Sequence, residues 1–151
     1  MSGSDAMGDA RWITRSFDLA RQGASEGGVP VGSCLVRDGT LISEGYNRRQ
    51  QDGAVIYHGE MDAIRRAGLD VRWRETLLYT SLSPCMMCAG TAVQFGIPRV
   101  VIGDATNFGG NEGFLRDRGV EVVVAENPDL VAFFRDWMTA HPDIWNGDIG
   151  A

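Results

Sequence analysis

The order of apolar and amphipathic segments constrains the fold of this chain more than any other feature of its sequence. A hairpin is predicted first, because Asp38-Gly39 is a typical turn between the strand-like segments 31–36 and 40–46. Helical and strand-like segments then alternate, and the later strands are predicted at 76–81, 99–103 and 120–124. This order is typical of an α/β fold, so we predict a three-layer α/β/α sandwich with a central five-stranded mixed sheet.

The remaining segments are predicted to be helices, loops and termini. Apolar residues at helical spacing predict helices at 9–25, 58–67, 85–95, 113–118 and 127–140. The polar segments 47–55 and 104–113 are predicted to be loops, and the residues after 140 a polar tail. Residues 1–8 are small and aperiodic, so we interpret them as a disordered N-terminal segment that precedes a single domain at 9–151.

The charge balance excludes several classes of function. The formal net charge of the 151 residues is −6, and an acidic surface repels phosphates, so we expect no nucleic-acid partner. All 14 basic residues are arginine, which excludes Schiff-base and phosphate-loop lysines.

No apolar run approaches the ~18 residues of a membrane span. No secretory signal is visible either, so we expect a cytoplasmic protein without a membrane partner.

Two of the three cysteines lie in the motif Pro84-Cys85-Met86-Met87-Cys88. We predict that this motif opens a helix, with Ser83 as the cap and Pro84 at the first helical position. Both sulfurs then lie on one face of the first turns, where the helix dipole favours thiolates. The motif is a half-site for a soft metal such as zinc, although C-x-x-C alone is also typical of redox pairs and structural zinc sites. Cys34, in an apolar segment, is predicted to be a core residue.

His58 and Glu60 are predicted to complete the site. His58, Cys85 and Cys88 are three protein ligands, and three ligands with an open fourth position are typical of catalytic zinc. Glu60 is then better suited to carry protons than to bind the metal. Residues two apart on a regular helix point about 200° away from each other. Both can reach one centre only if His58 lies at the helix entry, where the backbone is not yet regular.

The two motifs together resemble the signature of the cytidine deaminase superfamily. From about residue 11 to residue 150 the chain is similar to the fungal-type cytosine deaminases, which act on the free base. The segments that carry this resemblance are Gly27-Gly28-Val29-Pro30-Val31-Gly32, Gly45-Tyr46-Asn47, His58-Gly59-Glu60, Leu78-Tyr79-Thr80, Leu82-Ser83-Pro84-Cys85, Cys88, Gly96-Ile97-Pro98-Arg99, Asn107-Phe108, Glu121-Val122-Val123-Val124 and Asp148-Ile149-Gly150.

The resemblance implies one Zn²⁺ per chain, a homodimer and a set of substrate-binding residues. These residues are Asn47, Gly59, Ser83, Phe108, Trp145 and Asp148. Asn47 would hydrogen-bond the carbonyl edge of the base with help from the Gly59 backbone, and Asp148 would accept from the exocyclic amine. Phe108 and Trp145 would close over the ring.

The implied reaction is the hydrolytic deamination of a small amino-azaheterocycle, with cytosine to uracil plus ammonia as the first choice. The loops at 109–111 and 143–147 differ from the fungal pattern, and the segment between His58 and Cys85 is shorter. These segments border the expected pocket, so 5-azacytosine or another aminotriazine, isocytosine and guanine remain alternative substrates. A tRNA adenosine or nucleotide deaminase, which the acidic charge disfavours, and a non-catalytic zinc module are further alternatives.

Overall fold

A computed structural model describes residues 6–151 and contains the predicted five-stranded mixed sheet. The strands are β1 (Gly32–Arg37), β2 (Thr40–Tyr46), β3 (Leu77–Thr80), β4 (Arg99–Ile102) and β5 (Glu121–Val124). Their order in the sheet is β2-β1-β3-β4-β5. Strand β1 pairs antiparallel with β2 and β3, whereas β3, β4 and β5 run parallel to one another.

Seven α-helices and one 3-10 turn make up the rest of the described regular structure. The helices are α1 (Ala6–Ser25), α2 (Arg49–Asp52), α3 (Gly59–Ala67), α4 (Met86–Phe95), α5 (Glu112–Asp117), α6 (Pro128–Ala140) and α7 (Pro142–Asp148), and the 3-10 turn is Trp73–Glu75. Within residues 6–151, no helix combines the length and the apolar character that crossing a membrane requires.

The strands build two apolar layers because successive side chains point to opposite faces of the sheet. Cys34 of β1 belongs to a core cluster with Phe17 of α1 and Leu130 of α6. The next residue, Leu35, belongs to the opposite cluster, which includes Ala92 of α4. Helices therefore cover both faces, and the predicted α/β/α sandwich is confirmed.

The structure corrects the prediction for the first helix. Helix α1 begins at Ala6, three residues before the predicted start at Asp9, so residues 6–8 of the predicted disordered segment are helical. The rest of that predicted segment, residues 1–5, lies outside the described residues.

Two segments predicted to be irregular are helical. Within the predicted loop 47–55, residues Arg49–Asp52 form the single turn of α2, and the Asn47 side chain just before it accepts a hydrogen bond from Arg49 N at 2.9 Å. Within the predicted polar tail, α7 starts with a proline at its first position, and its Trp145 packs edge-on against Phe134 of α6 with ring centroids 5.1 Å apart. Both predictions were wrong because a local hydrogen bond and a tertiary contact outweighed the polar composition of the segments.

Close packing of α1 on β1 requires glycine at position 32. A β-carbon at Gly32 would lie 2.6 Å from Leu19 Cβ and closer still to the backbone oxygen of Ser16. We expect Gly32→Ala to lower the free energy of unfolding by about 2 kcal/mol or more, because a backbone must shift to admit the methyl group. The change would be measured by urea unfolding. The matched control is Gly113→Ala in α5, where no atom lies within 4 Å of the added β-carbon, and which should stabilise the protein by about 0.5–1 kcal/mol. Equal stability of the two variants would contradict this packing argument.

Candidate metal centre and substrate pocket

The N-termini of α3 and α4 bring the predicted metal ligands together. His58 is the N-cap of α3, with extended backbone angles of φ −67° and ψ 165°, so the predicted irregular helix entry is present. Cys85 is the N-cap of α4, again with an extended backbone, and Cys88 lies in the first turn. Pro84 therefore precedes the helix. The prediction that Pro84 is the first helical residue with Ser83 as the cap is wrong, because the chain turns into the helix only after Cys85.

The donor atoms of His58, Cys85 and Cys88 lie within 4.8 Å of one another. Cys85 Sγ is 3.4 Å from His58 Nδ1 and 3.5 Å from Cys88 Sγ. Bond lengths of about 2.3 Å to sulfur and about 2.0 Å to nitrogen in a tetrahedral zinc site separate two sulfurs by about 3.8 Å and a sulfur and a nitrogen by about 3.5 Å. The three donors therefore fit a tetrahedral zinc ion with only a small displacement. The other ring nitrogen of His58, Nε2, lies 3.5 Å from Asp148 Oδ1, a direction that leaves Nδ1 for the metal.

The protein's own groups favour the thiolate form of Cys85. A hydrogen bond with Cys88 lowers the pKa of Cys85 to about 4, against burial, and a hydrogen bond with His58 acts in the same direction. The same hydrogen bond and burial raise the pKa of Cys88. Burial opposes the positive charge of His58, but its hydrogen bond with Cys85 and the nearby charge of Asp148 raise its pKa to about 9. A metal ion bound here would displace the remaining protons and take their place against the sulfurs.

Glu60, two residues after His58, is a buried carboxyl group beside these donors, with only 3% of its surface exposed. Burial raises its pKa to about 7, and the negative charge of Cys85 adds to the rise. A group with a pKa near neutrality can both take up and release protons at physiological pH. Glu60 is therefore chemically suited to the proton-carrying role predicted for it.

Asn47 and Asp148 form a linked pair in the pocket, next to His58. Asn47 Nδ2 donates to Asp148 Oδ1 at 2.9 Å, and Asn47 Oδ1 accepts from Arg49 N at 2.9 Å. These two bonds fix the orientation of the amide and leave its second N–H as a donor. Burial raises the pKa of Asp148, whereas His58 and Asn47 oppose the rise. The pair can offer a ligand one donor and one carboxylate acceptor.

These groups surround a small pocket that is partly open to solvent. The lining residues are Val31, Asn47, His58, Glu60, Leu82, Ser83, Cys85, Phe108, Trp145, Asp148 and Ile149. The rings of Phe108 and Trp145 meet edge to face with centroids 5.6 Å apart and close one side. The pocket therefore combines an aromatic and aliphatic wall with six polar or titratable side chains, an arrangement that suits a small polar ring.

Two predicted site residues stand outside that lining. Cys88 is completely buried behind Cys85. Gly59 lies where a β-carbon would come 2.7 Å from Val31 O, so the absence of a side chain lets α3 approach this backbone closely.

Sequence reasoning missed Glu112. The Ser83 hydroxyl, predicted to cap a helix and to bind substrate, donates a hydrogen bond to Glu112 Oε2 instead of capping α4. Glu112 stands in the segment predicted as a loop, and its position four residues after Phe108 carries no motif that would have pointed to the pocket.

Cys34 lies in the core, as predicted, with no exposed surface. Burial raises the pKa of its thiol to about 11. Because the thiolate is the reactive form, we expect native Cys34 to resist iodoacetamide at pH 8 and to react faster as the pH approaches 11. The unfolded thiol ionises near pH 8.5, so the raised pKa adds stability below that pH that is lost as the pH rises to about 11. Mass spectrometry of labelled peptides would check this, and labelling at pH 8 as fast as in urea would contradict it.

Two soft sulfur donors and one imidazole would hold a zinc ion beside a buried carboxyl group. Zinc bound in this way can activate water for hydrolysis. Together with the five-stranded sheet of the α/β/α sandwich, this centre is typical of the zinc-dependent deaminases. The model of the cytidine and deoxycytidylate deaminase zinc-binding region matches residues 7–104. The chain belongs to this family, and it is a zinc-dependent hydrolytic deaminase.

Individual relatives agree with this assignment. The chain is 39% identical over 145 residues to a cytosine deaminase of Candida albicans, a match that covers 94% of this chain and 97% of the relative. It is 35% identical over 103 residues to a tRNA-specific adenosine deaminase of Streptococcus pyogenes, covering 66% of this chain and 65% of the relative.

Solved structures share the fold. A tRNA:A34 deaminase superposes with a TM-score of 0.66 at 26% identity, covering 77% of this chain and 98% of the other. A guanine deaminase from Nitrosomonas europaea superposes with a TM-score of 0.71 at 22% identity, covering 85% and 83% of the two chains.

Proposed function

We propose that this deaminase acts on a small free base and converts cytosine to uracil and ammonia. The observation that carries the proposal is the linked pair of Asn47 and Asp148, which presents a donor and an acceptor to one small pocket beside the metal donors. We also propose the residue roles that follow, and that the protein is cytoplasmic.

The polar groups of the pocket match the edge of cytosine. The free N–H of Asn47 can donate only to an acceptor such as the ring carbonyl oxygen, because its other N–H is bound to Asp148. Asp148 can accept from the exocyclic amine that is to be lost. Phe108 and Trp145 then cover the ring and exclude water. A base without the carbonyl would leave the buried Asn47 donor unpaired, which is the strongest kind of discrimination that a polar pocket offers.

His58, Cys85 and Cys88 are the residues that would hold one zinc ion per chain. When bound there, zinc supplies a Lewis acid that lowers the pKa of a water molecule to near neutrality. The roles of the protein's residues can be derived from their positions.

Glu60 moves the protons of the reaction. It takes one proton from the attacking water and delivers it to the ring nitrogen beside the carbon that carries the amine. The oxygen of the water bonds to that carbon, and Glu60 then transfers the remaining proton of that oxygen to the amine, which leaves as ammonia. Water and cytosine thus become uracil and ammonia without an external oxidant or reductant. Glu60 is buried beside the metal donors, so both transfers would take place away from bulk water.

The similarity to the Candida albicans cytosine deaminase, which extends over 94% of this chain, supports cytosine as the substrate. 5-Azacytosine presents the same carbonyl and amine, so the same contacts would also accept it. Because Phe108 and Trp145 wall one side of the pocket, we expect one ring to fit better than the two of guanine. The net charge of −6 disfavours tRNA, and a non-catalytic zinc module would have no use for the Asn47–Asp148 pair.

The proposal is tested by ammonia release from the zinc-loaded protein with a panel of bases. We expect kcat/KM for cytosine to exceed that for adenine, which has the amine but no carbonyl, by at least about 100-fold. 5-Azacytosine should be a substrate, whereas guanine and cytidine should react more slowly because the wall of Phe108 and Trp145 leaves less room for a second ring or a sugar. Turnover of another base with none of cytosine would overturn the choice of substrate, and no ammonia from any base would overturn the proposed function.

We further propose that the protein is a homodimer. Leu69, Trp73 and Phe95 line one surface depression, and Leu69 is 99% exposed. Exposed apolar groups of this kind favour association. Light scattering should give the mass of two chains for the unmodified protein and of one chain for Phe95→Asp. Val124→Asp, at an exposed apolar residue of the edge strand β5, is the matched control and should remain dimeric. A monomeric unmodified protein would refute the dimer.

A further inference from the structure

We propose that Glu112 is a positioning residue that fixes the Ser83 side of the pocket and thereby limits the size of the base. This inference rests on the proposed function, because it concerns the same pocket. Glu112 does not line the pocket itself. It acts through Ser83, which does.

One carboxylate joins two segments of the chain here. Glu112 Oε2 accepts the Ser83 hydroxyl proton, and its other oxygen, Oε1, accepts from Gly110 N at 3.1 Å. Ser83 is buried, with 2% of its surface exposed, between β3 and α4. Because its only proton is donated to Glu112, the Ser83 hydroxyl can offer a ligand nothing but an acceptor.

A second bond ties the same two segments. Asn111 Nδ2 donates to Pro84 O at 3.0 Å. The segment 109–112 is therefore fastened to Ser83 and Pro84 by one charged and one neutral hydrogen bond.

Phe108 lies at the start of this fastened segment. The residue before it, Asn107, is held by Asp104 and by Val131 O, with Asn107 Nδ2 at 2.7 Å and 2.9 Å from these acceptors. Asn107 thus holds the N-terminal end of the segment that places Phe108 against Trp145, and Glu112 holds its C-terminal end. Loss of Glu112 leaves the Asn111–Pro84 hydrogen bond as the remaining tie on this side, so the wall that contains Phe108 becomes looser while the fold persists.

The matched set of variants is Glu112→Ala, Glu112→Gln, Ser83→Ala, the Ser83→Ala/Glu112→Ala double variant and, as the control, Asp117→Ala. Asp117 is an exposed carboxylate at the other end of α5. Steady-state kinetics with cytosine and guanine would be measured on the zinc-loaded proteins, and hydrogen–deuterium exchange would be measured over residues 107–113.

We expect Glu112→Ala to raise KM for cytosine about tenfold, the effect of losing a hydrogen bond to a charged group, with little change in kcat. The preference for cytosine over guanine should fall, and exchange over residues 107–113 should accelerate. Glu112→Gln should restore most of the KM, because its amide oxygen can still accept from Ser83. The double variant should be no worse than the worse single variant, since the two residues act through one bond.

Three outcomes would overturn the inference. One is a Glu112→Ala protein with unchanged KM, base preference and exchange. Another is a parallel loss of kcat and thermal stability in Glu112→Ala and Glu112→Gln, which would show a merely structural role. The third is the same change in Asp117→Ala. If the unmodified protein deaminates no base, the proposed function fails, and unchanged exchange in Glu112→Ala would then refute the positioning role independently.

Discussion

Replacing Cys85 by serine is expected to weaken zinc binding by more than about 100-fold and to abolish ammonia release. Loss of an outer-shell partner of a metal ligand already costs about 10–100-fold in affinity, and Cys85 is proposed as a direct ligand. A serine hydroxyl remains protonated near neutral pH and is a hard donor, whereas the pKa of Cys85 is lowered to about 4 by its hydrogen bond with Cys88. Zinc per chain would be measured by mass spectrometry of the metal after dialysis against a chelator.

The matched control for that experiment is Cys34→Ala. It also removes one thiol, but from the core cluster of α1 and β1, and not from the metal centre. We expect it to keep one zinc per chain with a modest loss of stability. Circular dichroism would verify that Cys85→Ser is folded. A folded Cys85→Ser protein that retains stoichiometric zinc and activity would refute the ligand assignment.

The metal donors could be predicted because their signal is local. Two cysteines three residues apart at a helix N-terminus share a face by the geometry of the helix alone. The constraint on His58 was also local, since reaching the same centre as Glu60 demanded an irregular helix entry, and its backbone angles are extended. Local geometry could not predict that the N-termini of α3 and α4 lie close together, because this depends on the strand order of the sheet.

The substrate side of the pocket depends on distant pairs that leave little local trace. Asn47 and Asp148, 101 positions apart in sequence, form one hydrogen bond, and only the resemblance to a family pointed to both. The polar segment around Trp145 was predicted to be an irregular tail. It is helical, because Trp145 packs on the rings of Phe134 and Phe108. Tertiary burial decided the structure there, against the local composition.

Glu112 illustrates the same limit for charged residues. A carboxylate in a glycine-rich segment is usually solvated, and nothing in the sequence distinguished it from its neighbours. Its partner Ser83 lies 29 positions away. The buried ion pair of Asp9 and Arg99 is a similar case: the two side chains meet at 2.8 Å across 90 positions and tie α1 to β4, and the sequence did not predict their pairing.

Replacing Glu60 by glutamine is expected to lower kcat by about 10²–10⁴-fold while one zinc ion per chain is retained. Glutamine keeps the size and the hydrogen-bonding reach of the side chain, but it cannot take up or release a proton near neutral pH. The site should stay intact, because the metal donors proposed here are His58, Cys85 and Cys88 and not Glu60. The measurement is ammonia release from cytosine at saturation, together with zinc content.

The control for this variant is Glu121→Gln, which makes the same chemical change at an exposed carboxylate of β5 and should leave kcat and zinc unchanged. Comparison with Cys85→Ser then separates the two roles, because that variant should lose both zinc and turnover, whereas Glu60→Gln should lose turnover alone. Since burial disfavours the charged form of Glu60, its neutral replacement should fold at least as well as the original at pH 8. A Glu60→Gln protein with near-normal turnover would remove Glu60 from the proton transfers, and one that had lost its zinc would show that the residue belongs to the metal site instead.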